Sequence, residues 1–355
     1  MKYVLIALLF FAGAIGGGYF FALFAEQMDA WENLLANPIP AETAPEGEEE
    51  PASETPFRIV INLASRSLTL YENETKTRLY PVAVGKEWTP TPTGYFIVED
   101  KQEDPAWADP RGEKAAVPPG EDNPLGTRWM GIGGFYGIHG TNAPSSIGDY
   151  MSNGCIRMFD EDAQELFSIV PTGTLVEIIY RRIVVDRAPD GTVSLYCYPD
   201  GYGWQEVDEK DAMDALQAYG VQDFAEPEAV AAHIEASAGT PLPIAKSFPV
   251  WVNGTHGTDG TQETNGTNRT DLNFCAAEED GELYLPAAPL FHAFQTEWKW
   301  NAETREITAR HRAVPGIQKG ANIYLPAARL ETVLPLRGTL NAAGQYEITS
   351  SKPML

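Results

Sequence analysis

The chain has 355 residues, enough for two or three domains at about 150 residues each. With 43% apolar and 11% aromatic residues it can bury real cores, which excludes wholesale disorder. Fifty acidic against 25 basic side chains give a formal charge of -25, which excludes a general binder of nucleic acid or anionic lipid. The three cysteines, Cys155, Cys197 and Cys275, are too few for a disulfide framework and too widely spaced for a C-x-x-C zinc site.

Residues 3–25 form an uncharged, mostly apolar run of 23 residues behind Lys2. As a helix rising about 1.5 Å per residue, such a run spans a bilayer core of roughly 30 Å. Its length exceeds the apolar core of about 7–15 residues in a cleavable signal peptide, so residues 1–25 read as a transmembrane anchor, with a signal peptide as the alternative. Lys2 on the short side and acids beyond the run agree with the positive-inside rule and put the remainder outside the cytoplasm. Residues 26–56 hold nine acidic side chains, no basic ones and five prolines, which reads as an extended spacer.

From Phe57 onward short alternating apolar runs predict strands: Ile59, Ile61 and Leu63, then Leu68 and Leu70, then Val82 and Val84, then residues 95–98. Residues 101–128 read as a long loop region. Asp160 is placed to cap a helix whose apolar face is Leu166, Phe167 and Val170, and Pro171 and Gly173 stop it. Leu175, Glu177 and Ile179 suit a closing strand, so residues 57–180 form a mainly β domain with one packed helix. Residues 181–246 read as a small α/β connecting region, with a strand at 193–198 and helices near 208–219 and 226–238. Residues 247–355 contain a duplication. Residues 284–288 (Tyr-Leu-Pro-Ala-Ala) recur at 324–328, Asn301-Ala302 at Asn341-Ala342, and Glu306-Ile307-Thr308 at Glu347-Ile348-Thr349. Matching order and spacing predict two units, each a strand, a short helix and a hairpin, packed into one α+β domain.

The β domain contains one histidine, His139, and one cysteine, Cys155. A thiol becomes a nucleophile when a base or a positive neighbour draws off its proton, and a histidine on an adjacent strand supplies this near neutral pH. Gly154 lets backbone pass close to a substrate and turn N–H groups toward an oxyanion. Arg157, two residues past Cys155, projects from the same face of a strand and could bind a carboxylate or lower the thiol pKa. The alternative is that Arg157 pairs with an acid such as Asp160 and holds the strand end. The five glycines between Gly131 and Gly140 lack the Gly-Lys-Ser/Thr ending of a phosphate loop and read as a turn beside the site.

Five stretches in order carry a resemblance: Thr91-Pro92-Thr93-Gly94, Asn123-Pro124-Leu125-Gly126, Gly137-Ile138-His139-Gly140-Thr141, Ser146-Ile147-Gly148 and Ser152-Asn153-Gly154-Cys155-Ile156-Arg157-Met158. Together they resemble the YkuD-type L,D-transpeptidase catalytic domain, which implies a β-sandwich with a packed helix. The resemblance implies Cys155 as nucleophile, His139 as general base, the backbone at Gly154 and Cys155 as oxyanion hole, and a supporting role for Ser152. It places Arg157, Gly140 and Thr141 at the substrate. Asn153 stands where many members have histidine. The implied substrate is the peptidoglycan stem peptide, attacked at the carbonyl of its third, L-configured centre with release of D-alanine. No cofactor or metal is implied. Hydrolysis instead of transfer, as in an L,D-carboxypeptidase, and a non-catalytic wall-binding role are the alternatives. Residues 247–349 resemble, more weakly, the small N-terminal-type domain of copper amine oxidases, which implies a protein or glycan adaptor and imports no copper: His256, His292 and His311 lack ligand spacing.

Overall fold

The computed structural model describes residues 55–73, 75–109, 114–253, 262–264 and 267–351. The run at 3–25 and nearly all of the acidic spacer lie outside these residues. Among the described residues no helix is long and apolar enough to cross a membrane.

In chain order the first strands are β1 (Phe57–Asn62), β2 (Ser67–Glu72), β3 (Thr75–Pro81), β4 (Val84–Gly85), β5 (Gly94–Ile97), β6 (Asp100–Glu103), β7 (Arg128–Gly133), β8 (Tyr136–His139), β9 (Tyr150–Ser152) and β10 (Ile156–Arg157). Helix α1 (Asp160–Ile169) and β11 (Leu175–Ile179) follow. One sheet runs β3-β2-β1-β11-β5 with β1 and β11 parallel; a second runs β10-β8-β7-β6 with β10 and β8 parallel; β4 and β9 pair separately. The alternation in β1 buries Ile59 and Ile61 completely, and Leu68 and Leu70 of β2 join them. Met130, Ile138 and Ile156 of the second sheet and Ala163 and Leu166 of α1 complete the same core. Each of the isoleucine, leucine and methionine side chains contributes roughly 1.5–3 kcal/mol by burial.

Helix α1 differs from expectation at its start. Phe159 is the N-cap, with no side-chain bond, and Asp160 is the first helical residue. Its carboxylate accepts from the Thr127 N–H (2.7 Å) and hydroxyl (2.8 Å) and, one turn along its own helix, from the Gln164 amide (2.9 Å). At the other end Lys101 of β6 donates to the carbonyls of Phe167 (2.6 Å) and Val170 (2.8 Å), satisfying groups that a helix end leaves open. The segment expected to be loop from 101 to 128 therefore begins as strand. Beyond it, the buried Asn123 amide donates to the carbonyls of Pro105, Val117 and Pro118 and pins the loop.

The next elements are β12 (Ile183–Arg187), β13 (Thr192–Cys197), α2 (Glu209–Gln217), α3 (Pro227–Ala236) and β14 (Leu242–Asn253). The boundary expected at 246/247 falls inside β14. This strand pairs with β13 on one side and with Thr267–Glu279 on the other, so the connecting region and the C-terminal part share one ten-stranded sheet. Ala212, Leu216 and Val230 of α2 and α3 pack on Val193 and Leu195 together with Ala277, Tyr284 and Tyr324. Residues 181–246 are thus not separately packed, because their helices bury their apolar faces on the C-terminal sheet.

In the duplicated part, strand Glu282–Pro286 leads into helix Ala287–Ala293 and hairpin Trp298–Asn301/Glu306–Ala309. Strand Asn322–Pro326 leads into Ala327–Arg329, Leu330–Val333 and hairpin Leu336–Leu340/Tyr346–Ser350. The two repeat strands pair antiparallel with Leu285 opposite Leu325, both fully buried, so each repeat covers the other.

Candidate active site

The sheet β10-β8-β7-β6 brings the sequence-predicted residues together. His139 ends β8, Cys155 immediately precedes β10, and the parallel register sets Arg157 level with His139. Residues at the same level of neighbouring strands project from one face, so the imidazole and the guanidinium share a side of the sheet. The backbone of Arg157 is fixed by reciprocal bonds with Ala83, both 2.9 Å, and Met158 N–H donates to the His139 carbonyl (2.8 Å).

Cys155 is delivered by a tight turn after β9. Gly154 has φ +115°, and a Cβ there would lie 2.6 Å from the Tyr136 ring, so only glycine fits. The buried Ser152 hydroxyl holds the turn closed by donating to the Cys155 carbonyl (2.5 Å) and accepting from the Gly154 N–H (3.0 Å). Ser152's own carbonyl accepts from the Lys86 N–H (3.0 Å) and the Thr89 hydroxyl (3.3 Å). The fully buried Thr91 hydroxyl donates to the Gly154 carbonyl (2.8 Å) and accepts from the Gly85 N–H (2.9 Å). The expectation that the Gly154 N–H faces a substrate oxyanion is corrected here, because that donor is already taken by Ser152.

His139 is buried, at 4% exposure, and its Nδ1 lies 2.6 Å from the Gly140 carbonyl. A carbonyl oxygen only accepts, so Nδ1 carries the ring proton and Nε2 keeps its lone pair. Burial lowers the imidazole pKa to about 4; the Gly140 bond opposes this and the Arg157 charge adds to it. Trp129, opposite His139 across the β7–β8 hairpin, stacks on the ring at 5.7 Å between centroids and 22°. The Cys155 thiol donates to the Phe135 carbonyl (3.4 Å). Burial pushes its pKa up from the ordinary value, while backbone at Gly137 and the Arg157 charge pull it down. The resting pair is therefore a neutral thiol and a neutral imidazole.

Arg157 does not pair with Asp160, whose carboxylate is occupied by Thr127 and Gln164. Among the described residues its guanidinium has no ion-pair or hydrogen-bond partner. Burial lowers its pKa and Cys155 raises it. Gly140 and Thr141, expected at the substrate, are instead committed internally. The Gly140 N–H donates to Arg128 (3.2 Å), its carbonyl holds His139, and the Thr141 hydroxyl, buried, accepts from the Ala143 N–H (3.1 Å). The Gly140 carbonyl thus holds the imidazole at Nδ1, while Thr141 holds the turn that follows. Asn153 accepts from Lys86 Nζ at 3.5 Å.

Among the described residues no group of three or more His, Cys, Asp or Glu side chains is placed to hold a metal. Sequence reasoning missed Trp129 and the bonds made by Thr91. The first rests on an irregularity: the hairpin turns at Gly134-Phe135, and a bulge between Gly131 and Gly133 shifts the register so that position 129 faces 139.

The sequence model of the YkuD family, described as L,D-transpeptidase catalytic domain, matches residues 56–178. L,D-transpeptidase YkuD of Bacillus licheniformis is 44% identical over 124 residues, covering 35% of this chain and 66% of that protein. L,D-transpeptidase YqjB of Bacillus subtilis is 38% identical over 136 residues, covering 37% of this chain and 74% of that protein. The solved catalytic domain of the Enterococcus faecium L,D-transpeptidase is 26% identical and covers 36% of this chain and 99% of that one, with a TM-score of 0.31. The chain spans 59–66% of the length of the first curated relatives it matches. Given 38% identity across 74% of YqjB, and the family match enclosing His139, Cys155 and Arg157, the chain belongs to the YkuD family of L,D-transpeptidases.

Proposed function

We propose that this protein is a peptidoglycan L,D-transpeptidase working through a Cys155 thioester. The observation that carries the reading is the tautomer of His139: with Nδ1 committed to the Gly140 carbonyl, Nε2 is the basic nitrogen of a neutral imidazole, at the end of the strand that pairs with the one Cys155 leads into. As the stem peptide arrives, the Cys155 proton passes to Nε2 and sulfur attacks the carbonyl of the third residue. The C–S bond forms, the developing oxyanion is received by the Cys155 N–H, and the C–N bond breaks as His139 protonates the departing D-alanine amine. An amine of a neighbouring stem then attacks the thioester, yields its proton to His139, and leaves as a new amide while the thiol is restored. Arg157, with an uncommitted guanidinium level with His139, binds the terminal carboxylate of the donor. Ser152 positions the cysteine turn. The substrate lies outside the cytoplasm, which agrees with the uncharged run at 3–25 and the acidic spacer after it. The C-terminal repeats serve as an adaptor for protein or glycan.

Incubation with purified disaccharide-tetrapeptides, followed by mass spectrometry, tests the reaction. Cross-linked dimers are expected; trimmed tripeptides alone would make the enzyme an L,D-carboxypeptidase, and unchanged substrate would remove the catalytic reading.

Arg157 gives a separate expectation. A charge-assisted bond to the donor carboxylate contributes about 1.5–3 kcal/mol, so Arg157→Ala lowers acylation roughly ten- to hundredfold. Arg157→Lys keeps the charge but loses the planar fork and falls between. Because the guanidinium holds no described acid, the melting temperature changes little. A variant that melts several degrees lower yet acylates normally below that temperature overturns the role.

A further inference from the structure

We propose that Tyr202, which lies beyond the family match ending at residue 178, is a positioning residue for the Cys155 turn. The inference rests on the transpeptidase reading and deepens it.

The turn carrying Tyr202 is built by one carboxylate. Asp200 accepts from the Tyr180 hydroxyl (2.5 Å) and from the N–H groups of Trp204 and Gln205 (both 3.0 Å), and the Tyr202 N–H donates to the Tyr180 oxygen (3.2 Å). The Tyr202 ring is enclosed by three others: Tyr180 stacked at 5.4 Å, Trp204 at 4.5 Å and Tyr150 edge-on at 4.9 Å. Gly201 lets Tyr150 press on the backbone, since a Cβ there would lie 2.2 Å from that ring. Tyr150 opens β9, the strand that leads to Cys155. Tyr202 thus belongs to the buried core of the catalytic sheets, although it follows them in sequence.

Its hydroxyl aims at the site. Tyr202 Oη donates to the Gly85 carbonyl (2.7 Å) on β4, and Gly85 pairs with Ser152. The Gly85 N–H donates to Thr91 Oγ1, which in turn donates to the Gly154 carbonyl. That carbonyl and the Cys155 N–H belong to one planar peptide unit. A chain of three hydrogen bonds therefore runs from Tyr202 to the peptide whose N–H receives the oxyanion. The Gly85 carbonyl and N–H lie on either side of its Cα, so the hydroxyl acts by position: it fixes Gly85 and accepts from the Thr91 N–H (3.5 Å), and so orients the bond that holds the Gly154–Cys155 peptide. Tyr202 does not touch substrate; it acts through Gly85 and Thr91.

Tyr202→Phe keeps the ring stack and removes only the hydroxyl. In the full chain with a disaccharide-tetrapeptide, acylation at saturating substrate should fall roughly tenfold with KM unchanged. The melting temperature should move by no more than about 2–4 °C. Alkylation by iodoacetamide, which needs the thiol but no oxyanion donor, should keep its rate, and the Cys155 amide should exchange hydrogen faster. Thr91→Val should reproduce the acylation defect, and the double variant should be no slower than Thr91→Val alone. A wild-type acylation rate in Tyr202→Phe, additive single effects, or a large melting loss with normal activity per folded molecule would each overturn the proposal. If the wild-type chain acylates nothing, the transpeptidase reading fails; the Tyr202 link is then judged by exchange at the Cys155 amide, where an unchanged rate sinks it.

Discussion

Cys155→Ala leaves no acyl adduct detectable by intact mass, and Cys155→Ser falls by about 10⁴-fold or more, as when a catalytic nucleophile is removed elsewhere. The serine hydroxyl keeps the shape of the thiol but is a far weaker acid, and His139, with a pKa lowered to about 4, is too weak a base to compensate. The other two thiols give the contrast. Cys197 is fully buried, with its sulfur against Ser237 Oγ (3.4 Å) and the Ile234 carbonyl (3.9 Å). Cys275 sits in strand Thr267–Glu279 opposite Pro249. All three cysteines are free, and of the three it is Cys155 that leads into the strand pairing with the His139 end of β8. Cys197→Ala should lose about 1 kcal/mol of stability by leaving a small void, and both alanine variants should acylate as the wild type does. An adduct on Cys155→Ala, or its loss in Cys197→Ala or Cys275→Ala, removes Cys155 from the mechanism.

What was legible in the sequence was chiefly what lies close in the chain. The run from Ser152 to Met158 shows the thiol, its glycine and its arginine, and 16 residues separate Cys155 from His139. Alternation located β1 and β2 because their inner face is buried and their outer face is not. Partners set by topology were not legible: Asp160 bonds Thr127 33 residues back, Thr91 bonds Gly154 63 residues on, and Tyr202 reaches Gly85 117 residues back. Asp160 misled in a specific way. Its type and position suit an N-cap, but folding brought a better donor pair, the amide and hydroxyl of one threonine. Ser152 was within reach, since a serine two residues before a glycine commonly closes a turn through its hydroxyl. The boundary at 246/247 falls inside β14 because that strand serves three sheet neighbours, and a change in composition does not report which strands it joins.

His139→Gln should lower acylation about 10²- to 10⁴-fold, since glutamine can still donate to the Gly140 carbonyl but offers no basic nitrogen to the thiol. The same variant should change how stability depends on pH, and this separates a buried neutral base from an exposed histidine. In the unfolded chain the imidazole titrates near its ordinary value of 6.5; in the folded protein burial lowers this to about 4. Between these values the unfolded state binds more protons, so His139's contribution to stability is complete above pH 6.5 and is lost as pH falls toward 4. Each pH unit in that window costs about 1.4 kcal/mol, or roughly 2 kcal/mol between pH 7 and pH 5. Carboxylates and other histidines add their own slopes, but these are common to both proteins and cancel in the comparison. Urea unfolding at pH 7 and pH 5 should therefore show the wild type losing about 2 kcal/mol more than His139→Gln. Equal losses would mean that the imidazole takes its proton as readily in the folded state as in the unfolded one. Only a smaller loss in the wild type than in His139→Gln, which needs a folded pKa above 6.5, would put an imidazolium at the site and a thiolate in place before substrate arrives.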